Sequence, residues 1–205
     1  MKITALQVGP IMTNCYILSD ETAGVCACID PGDEPQRVEQ AIAATGCELR
    51  AIYLTHGHFD HWTGVRGLLQ SHPDVPVYIH KKDVTDGRGG DLLFPRLGET
   101  NQRYYSEGDA LTLGSLTVSV METPGHSEGS VCLLAGDVIF AGDTLFRMSC
   151  GRTDFPGGSY GAILRSLARL ARLEGDYTVY PGHESATTLN FERSHNPYMK
   201  QGLSL

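Results

Sequence analysis

Long apolar runs and clusters of basic residues are both missing from this chain. No apolar stretch in its 205 residues approaches the length of a membrane span, so we expect no membrane insertion. The formal net charge is −8 and no run of Lys and Arg is present, which argues against nucleic acid as a partner. The segment from Met1 to Val8 is too short and too polar for a secretion signal, and we therefore predict a cytoplasmic protein.

Paired cysteine motifs are also missing. The six cysteines include no Cys-x-x-Cys pair, and without an export signal we interpret them as reduced thiols, mostly small core residues. Linkers, low-complexity segments and internal repeats are absent as well. With 41% hydrophobic and 20% charged residues, the composition is that of a globular protein, and we predict one domain over residues 1–205.

The most informative segment that is present is Thr-His-Gly-His-Phe-Asp-His at residues 55–61. In an extended loop His56 and His58 point to the same side, and Asp60 and His61 offer a second set of donor atoms. The preceding residues, 51–54, form a short apolar run that predicts a buried strand. The segment therefore predicts metal ligands held at the rigid end of a strand.

Three further candidate ligands have the same local context. Each of His126, Asp143 and His183 follows a short apolar or β-branched run and then a turn that contains Pro or Gly. Strands that end in this way indicate loops that meet at one rim of a sheet assembly. Chance clustering of the seven ligands at four strand ends is a poor explanation for this pattern.

The hydrophobic pattern also predicts the order of secondary structure elements. Strands are predicted at residues 3–8, 14–19, 25–29, 51–54, 75–79, 110–113, 116–121, 131–134, 138–140 and 177–180, and helices at 35–45, 63–70, 159–172 and 186–192. Residues 88–103 are rich in Gly, Pro and charge and predict a long surface loop. Each half of the chain then consists of strands and packing helices. This pattern predicts an α/β fold, a four-layer αββα sandwich with the sheets inside.

These motifs resemble those of the metallo-β-lactamase superfamily. The pattern His-x-His-x-Asp-His is matched at residues 56–61, and the later ligands by His126, Asp143 and His183 in the same order. Within that superfamily the chain is most similar to the glyoxalase II-type hydroxyacylglutathione hydrolases in their short bacterial form. The supporting stretches are residues 123–127, 142–146, 151–158 and 181–184. The resemblance extends over nearly the whole chain and implies the metallo-β-lactamase fold.

The resemblance also implies two divalent metal ions and a reaction. One ion would be held by His56, His58 and His126, the other by Asp60, His61 and His183, with Asp143 bridging both. Three neutral imidazoles leave zinc an open position for water, so zinc is expected, with iron or manganese as alternatives.

A hydroxide bridging the two metals would attack the carbonyl of a hydroxyacyl thioester such as S-lactoylglutathione. Water bound to such a metal ionises near pH ~7. A thiol with a pKa near ~8.5 leaves without a general acid, whereas an amide would need a proton donor. Beyond water, Asp60 is the donor that the sequence offers, and we predict it to be catalytic as well as a ligand.

Arg152 is the predicted substrate-binding residue. The resemblance places it where the longer glyoxalase II enzymes have a lysine that contacts glutathione, although a surface arginine in a Gly-rich loop is the alternative. Those enzymes also carry a C-terminal helical extension that helps to hold glutathione, whereas this sequence stops at Leu205. Glutathione is therefore only one candidate for the carrier thiol. The open edge that results is compatible with a homodimer in which a second copy completes the pocket.

Other functions stay open at this point. A mononuclear-iron persulfide dioxygenase of the same superfamily shares the Gly-Arg-Thr-Asp-Phe stretch and would use His56, His126 and Asp143. β-Lactam hydrolysis is disfavoured because those enzymes are normally exported. A non-catalytic metal-binding partner protein would usually have lost ligands, and none is missing here.

Several polar residues outside the ligand set have simpler interpretations. For His72, His80 and His195 we expect surface or capping roles. Asp30, in an Asp-Pro-Gly sequence, is interpreted either as a turn former or as a hydrogen-bond partner of a ligating histidine. Cys150 lies near Arg152 in the sequence, but a catalytic thiol is not expected, because a metal would already supply the nucleophile.

Overall fold

The computed structural model describes residues 1–85, 93–98 and 100–205. The strands are β1 (Lys2–Val8), β2 (Thr13–Asp20), β3 (Val25–Ile29), β4 (Glu48–Tyr53), β5 (Val77–His80), β6 (Val84–Thr85), β7 (Phe94–Pro95), β8 (Gln102–Tyr105), β9 (Ala110–Leu113), β10 (Leu116–Glu122), β11 (Val131–Ala135), β12 (Val138–Gly142), β13 (Leu145–Phe146), β14 (Ser149–Cys150), β15 (Thr178–Pro181) and β16 (Thr187–Thr188). The helices are α1 (Pro35–Thr45), α2 (Val65–Ser71), α3 (Tyr160–Ala171), α4 (Leu189–His195) and α5 (Pro197–Leu203). Short 3₁₀ turns cover Phe59–His61 and Lys81–Asp83.

Two six-stranded sheets form the centre of the described structure. The first has the order β1-β2-β3-β4-β5-β8 and the second the order β16-β15-β12-β11-β10-β9. Helices connect the strands of several parallel pairs, including β3 with β4 and β12 with β15. Strands such as β2 and β12 are buried along their whole length, because each sheet is covered on both faces.

Three apolar clusters separate the layers. One packs α1 and α2 on the first sheet and includes Val38 and Leu68. The second fills the space between the sheets and includes Tyr53 and Phe140. The third packs α3, α4 and α5 on the second sheet and includes Leu167. This arrangement confirms the predicted four-layer αββα sandwich. No described helix is long and apolar enough to span a membrane.

Helix α3 shows how the outer layers are attached. Its apolar residues recur at helical spacing and four of them, Ile163, Leu164, Leu167 and Leu170, are buried. The helix begins where the Ser159 hydroxyl accepts a hydrogen bond from the amide of Ala162. The sequence prediction for this helix is confirmed to within a residue at each end.

The structure differs from the prediction in two places near the C-terminus. Residues 186–192 do not form one helix, because Thr187 and Thr188 pair with β15 as a short strand before α4 begins. The Thr188 hydroxyl then caps α4 by accepting a hydrogen bond from Phe191. A further helix, α5, follows and was not expected. It begins at Pro197, whose fixed φ suits the first turn of a helix.

The predicted loop at residues 88–103 is wrong in part. Phe94, in β7, is fully buried against Trp62, with ring centroids 5.5 Å apart. Strand β8 begins at Gln102, also within the predicted loop. Residues 88–92 and 99 lie outside the described residues. Composition alone could not reveal these strands, since they are short and their pairing partners are distant in the sequence.

The topology brings the carboxyl ends of several strands to one rim. Strands β10 and β12 are both antiparallel to β11, and β15 is parallel to β12, so all three run in the same direction. In the first sheet β3 and β4 are parallel neighbours. Backbone hydrogen bonds join the two sheets here, from Val131 to Thr55 at 2.9 Å and from Asn14 to Gly182 at 2.7 Å. The loops that carry the predicted ligands are therefore fixed to one another.

Candidate metal centre

The seven predicted ligands come together at this rim. Their side chains form three overlapping groups, in each of which the ligand atoms lie within 4.8 Å of one another. The groups are His56, His58 and His126; His56, His61 and Asp143; and Asp60, His61 and His183. We refer to the first group as the first ligand set and to the third as the second ligand set. Asp143 lies between them, with carboxylate oxygens 3.4 Å from both His61 and His126.

Three buried polar atoms in this cluster have no hydrogen-bond partner among the described residues. They are His56 Nε2, His61 Nε2 and Asp143 Oδ1. An unsatisfied buried polar atom destabilises a fold by about 1–3 kcal/mol, so three such atoms at one place indicate a missing partner. Imidazole nitrogens and carboxylate oxygens are ligands of divalent transition metals. The residues present therefore fit a metal centre.

Two histidines of the first ligand set, His56 and His58, are held in the neutral form. Burial, together with His61 and His126 nearby, lowers the pKa of His56 well below its usual value. Burial and the proximity of His126 lower the pKa of His58 to about 4. Neutral imidazole is the form that binds a metal. His58 Nδ1 and His126 Nε2 lie 2.8 Å apart, so their lone pairs converge on a small volume.

The second ligand set has a different charge balance. Burial opposes ionisation of Asp60, but the neighbouring imidazoles of His183 and His61 hold its pKa far below the usual range. Burial also disfavours the charged form of His61, yet Asp143 and Asp30 raise its pKa well above the usual value. The pKa of His183 is raised against the effect of burial by its hydrogen bond to Asp60. This set therefore combines one anionic carboxylate, that of Asp60, with two imidazoles.

Hydrogen bonds from the rest of the fold orient individual ligands. His61 Nδ1 lies 2.9 Å from Asp30 Oδ2, which leaves Nε2 as its ligand atom. Asp30 also accepts hydrogen bonds from the Thr55 amide and hydroxyl, at 2.8 and 2.6 Å. On the other side, His126 Nδ1 lies 2.8 Å from the carbonyl oxygen of Arg152. Asp30 is thus both a partner of a candidate ligand and a turn residue, with φ of 51°.

Residues at the start of β2 also support the site and were missed by sequence reasoning. The Thr13 hydroxyl donates a hydrogen bond of 3.0 Å to Asp60. The side-chain amide nitrogen of Asn14, Nδ2, donates to the carbonyl oxygens of Pro181 and Glu184, at 3.0 and 2.8 Å. These contacts fix the loop that carries His183. The sequence signal was weak, because a polar Thr-Asn pair at the start of a strand is common.

A cavity of about 300 Å³ opens onto both ligand sets. Ile11, Phe59 and Phe155 form its apolar wall, and Arg152 is the only Lys or Arg among the described residues that line it. The Arg152 guanidinium stacks over Phe155, 4.0 Å from the ring centroid, and makes two 2.7 Å hydrogen bonds to Asp154. Arg152 therefore lies where sequence analysis expects a substrate contact, and its side chain is 57% exposed.

The polar residues outside the ligand set have ordinary contacts. His72 pairs with Glu39 at 2.9 Å, and His195 Nδ1 lies 2.9 Å from a helix carbonyl oxygen. His80 is buried rather than on the surface, but it caps the 3₁₀ turn that follows, as one of its two expected roles requires. Burial raises the pKa of the Cys150 thiol to about 11, which agrees with the expectation that it is not a nucleophile.

The fold and the order of the clustered residues agree with one protein family. Residues 8–183 match the family model described as the metallo-beta-lactamase superfamily. The chain belongs to the metallo-β-lactamase superfamily. The match covers all seven of the clustered side chains.

Individual relatives within the superfamily differ in what they are named for. The chain is 32% identical to the hydroxyacylglutathione hydrolase GloC of Haemophilus influenzae, over 97% of this chain and 98% of that protein. The crystal structure of the BLEG-1 B3 metallo-beta-lactamase is 31% identical with a TM-score of 0.85, over 97% of this chain and 99% of that one. TTHA1623 in a di-iron-bound form is 36% identical with a TM-score of 0.78, over 95% and 99%. The relatives thus support a metal centre without fixing one substrate or one metal.

Proposed function

We propose that the protein is a metal-dependent hydrolase of the glyoxalase II type, which cleaves a hydroxyacyl thioester such as S-lactoylglutathione. The observation that carries this proposal is the convergence of two ligand sets, with three unsatisfied buried ligand atoms, on one cavity. The similarity to GloC over nearly the full length of both chains supports the hydroxyacyl thioester as substrate.

Two divalent ions, zinc in this proposal, would be held by the first and second ligand sets with Asp143 between them. When bound, such ions supply hydroxide at neutral pH and polarise a carbonyl oxygen. The protein contributes the orientation of the ligands, through the contacts of Asp30 with His61 and of the Arg152 carbonyl with His126. It also supplies an apolar wall, which lowers the water content around the reacting carbonyl.

The lining of the cavity favours a thioester over an amide as substrate. Apart from the candidate ligands, the described side chains that line it are the apolar Ile11, Phe59 and Phe155 and the cation Arg152. None of these donates a proton near neutral pH. A thiolate, with a thiol pKa near ~8.5, leaves unprotonated, whereas an amine does not. Within this proposal Asp60 is the one catalytic side chain in contact with the cavity, where its carboxylate is held by Thr13 and His183.

Arg152 is proposed to bind an anionic group of the carrier thiol. Its guanidinium is fixed in direction by stacking on Phe155, while its partner Asp154 is 66% exposed and can be replaced by another carboxylate. Bidentate pairing of arginine with a carboxylate gives directional recognition. A carrier such as glutathione, which has carboxylates, fits this contact.

A substrate panel tests the proposed function. Purified protein loaded with zinc is assayed with S-lactoylglutathione, with the amide analogue of the same acyl group, with a β-lactam, and with glutathione persulfide under O₂. Turnover of the thioester at least about a hundred times faster than that of the amide is the expected result. O₂ consumption with the persulfide and no thioester hydrolysis would instead establish a dioxygenase. A His58→Ala variant serves as the control for contaminating hydrolases.

A homodimer and a location in the cytoplasm are also part of this proposal. A second copy packed at the edge of the cavity would limit access of water to the exposed side of Arg152. Light scattering in solution gives the mass directly. A mass close to twice 22.2 kDa is expected, and a strict monomer at all concentrations would exclude the dimer.

A further inference from the structure

Asp83 is a buried carboxylate outside the ligand cluster. Only 1% of its surface is exposed, and it ends the 3₁₀ turn Lys81–Asp83 that follows β5. Its oxygens accept three hydrogen bonds, from the Gly57 amide at 2.9 Å, the Ser127 hydroxyl at 2.6 Å and the Gly129 amide at 2.7 Å. All three donors are neutral groups, so these contacts are hydrogen bonds and not ion pairs. The N–H and O–H dipoles of the two surrounding loops stabilise the negative charge of the carboxylate.

The donors belong to the two loops that carry the first ligand set. Gly57 lies between His56 and His58, and Ser127 directly follows His126. One side chain therefore joins the backbone on both sides of the gap where His58 Nδ1 and His126 Nε2 lie 2.8 Å apart. The size and charge of Asp83 therefore help to set the distance between the loops.

Two glycines allow this close approach. A Cβ atom at Gly57 would collide with the carbonyl oxygen of Asp83, and one at Gly129 would lie 2.6 Å from the Asp83 carboxylate. Any other residue at either position would push the loop away from the carboxylate. Glycine is therefore required at position 57, within the histidine motif, because the backbone of Asp83 packs directly against it.

We propose that Asp83 is a positioning residue for the first ligand set, and that it sets metal affinity there without touching the metal. Asp30 has the corresponding role for the second ligand set, since it contacts His61 directly. Loss of the Asp83 carboxylate is expected to let the loops at residues 56–58 and 126–129 separate, which weakens binding by three histidines on two loops. Groups that orient ligands in this way change metal affinity by about 10- to 100-fold.

The test uses Asp83→Asn in two backgrounds. In His183→Ala only the first ligand set is complete, and in His58→Ala only the second. Zinc affinity of the chelator-stripped proteins is measured by competition with a chromophoric chelator, a readout that does not depend on any substrate. Asp83→Asn is expected to weaken zinc binding about tenfold in the His183→Ala background and by less than about twofold in the His58→Ala background. Equal losses in both backgrounds, or no loss in either, would overturn the proposal.

A matched control separates positioning from general stability. Asp20 is also a buried carboxylate bound by neutral donors, including the Ser115 hydroxyl at 2.6 Å. It lies at the end of β2 opposite to Thr13 and so away from the metal rim. Asp20→Asn is expected to lower the melting temperature with zinc affinity unchanged. If Asp83→Asn does not fold, Ser127→Ala provides a second test, because it removes only one of the three hydrogen bonds. Zinc affinity of the first ligand set is then expected to fall about threefold. Unchanged zinc affinity in a folded Ser127→Ala protein would also count against the proposal.

Discussion

The two ligand sets lie side by side but differ in charge, burial and support. The first consists of imidazoles alone, all of them buried. The second includes Asp60 and approaches Asp143, and its His183 side chain is 23% exposed. Burial and the proximity of His126 lower the pKa of His58 to about 4, whereas Asp60 and Asp143 raise the pKa of His183 against the effect of burial. The first set is therefore buried and made of imidazoles alone, whereas the second combines a carboxylate with imidazoles and is partly exposed.

This difference predicts that the two ligand sets bind a metal with different strength. Three buried imidazoles would leave a bound zinc ion an open position, and we expect the first set to hold a metal more tightly. We expect the second set to release a metal more readily, because the His183 side chain is 23% exposed to water. Di-iron and hydrolase relatives within one superfamily are compatible with such a centre, since imidazole and carboxylate together accept several metals.

Removal of a histidine from the first ligand set should have the largest effect. His58→Ala takes away an enclosed ligand and leaves His126 without its neighbour at 2.8 Å. We expect kcat/KM for the thioester to fall by about a thousandfold, which corresponds to ~4 kcal/mol of transition-state stabilisation. His183→Ala, on the exposed side, is expected to lose less. Steady-state kinetics of both variants measure this, with His72→Ala as a histidine control. A larger loss of kcat/KM in His183→Ala than in His58→Ala would contradict the proposed ranking.

Removal of metal should lower the stability of the whole fold. The unsatisfied atoms at His56, His61 and Asp143 are stabilised only when a cation binds them. At about a thousandfold excess over Kd, ligand binding adds about 4 kcal/mol, which is a shift in Tm of about 10 °C for a chain of this size. Calorimetry before and after treatment with a chelator measures it. Identical melting curves would show that the cluster binds no metal in solution.

Asp30→Asn should act mainly on the second ligand set. The variant weakens the contact that leaves His61 Nε2 free to bind a metal. We expect about a 10- to 100-fold loss of affinity for one of two zinc ions. Metal titration of the stripped protein distinguishes this outcome from a loss of both. A parallel loss at both sites would mean that the two sets are not supported independently, since Thr55 next to His56 also contacts Asp30.

Arg152→Ala should change substrate affinity more than turnover. The side chain lines the cavity beside the metal ligands but has no contact with them, because only its backbone carbonyl reaches His126. We expect KM for S-lactoylglutathione to rise about tenfold at nearly constant kcat, a loss of ~1.4 kcal/mol. Arg50→Ala, an exposed arginine paired with Glu48 far from this cavity, is the control. An equal fall in kcat and kcat/KM would assign Arg152 to the transition state instead.

The smallest expected effect concerns a carboxylate away from both sets. Hydrogen bonds from the Ser115 hydroxyl and amide and from Ala23 lower the pKa of Asp20 to about 2. Because this pKa lies below the unfolded value of about 3.9, the stabilisation is present above pH ~4 and disappears as pH falls towards 2. Denaturant unfolding of Asp20→Asn should differ from the wild type at pH 6 and converge with it near pH 2. A constant difference would contradict this assignment.

The clustering of the candidate ligands was predictable from sequence because each follows a strand in a local motif. His56, His58, Asp60 and His61 lie in one loop, and the others directly follow β-like runs. The order of most of the longer strands and helices also followed from hydrophobic periods, and from it the four-layer fold, although β8, β16 and α5 were missed. Both kinds of signal depend on residues that are close together in the chain.

The supporting contacts were not predictable, because they join distant parts of the chain. Asn14 and Glu184 are 170 residues apart, and Asp83 and Gly129 are 46 apart. Thr187 reads as a helical residue until its pairing with β15 is known. Neither periodicity nor composition carries information on such pairs. The sequence therefore predicts the candidate ligands better than the residues that hold them in place.

Metal content measured together with thioester turnover tests the central claim most directly. The wild type, His58→Ala and His183→Ala are purified identically, analysed for bound elements and assayed with S-lactoylglutathione on the same preparations. We predict about two divalent ions per wild-type chain, about one in each variant, and turnover that falls with the first ligand set more than with the second. A wild-type protein that hydrolyses the thioester without bound metal, or that binds two ions and does not hydrolyse it, would contradict a binuclear thioester hydrolase.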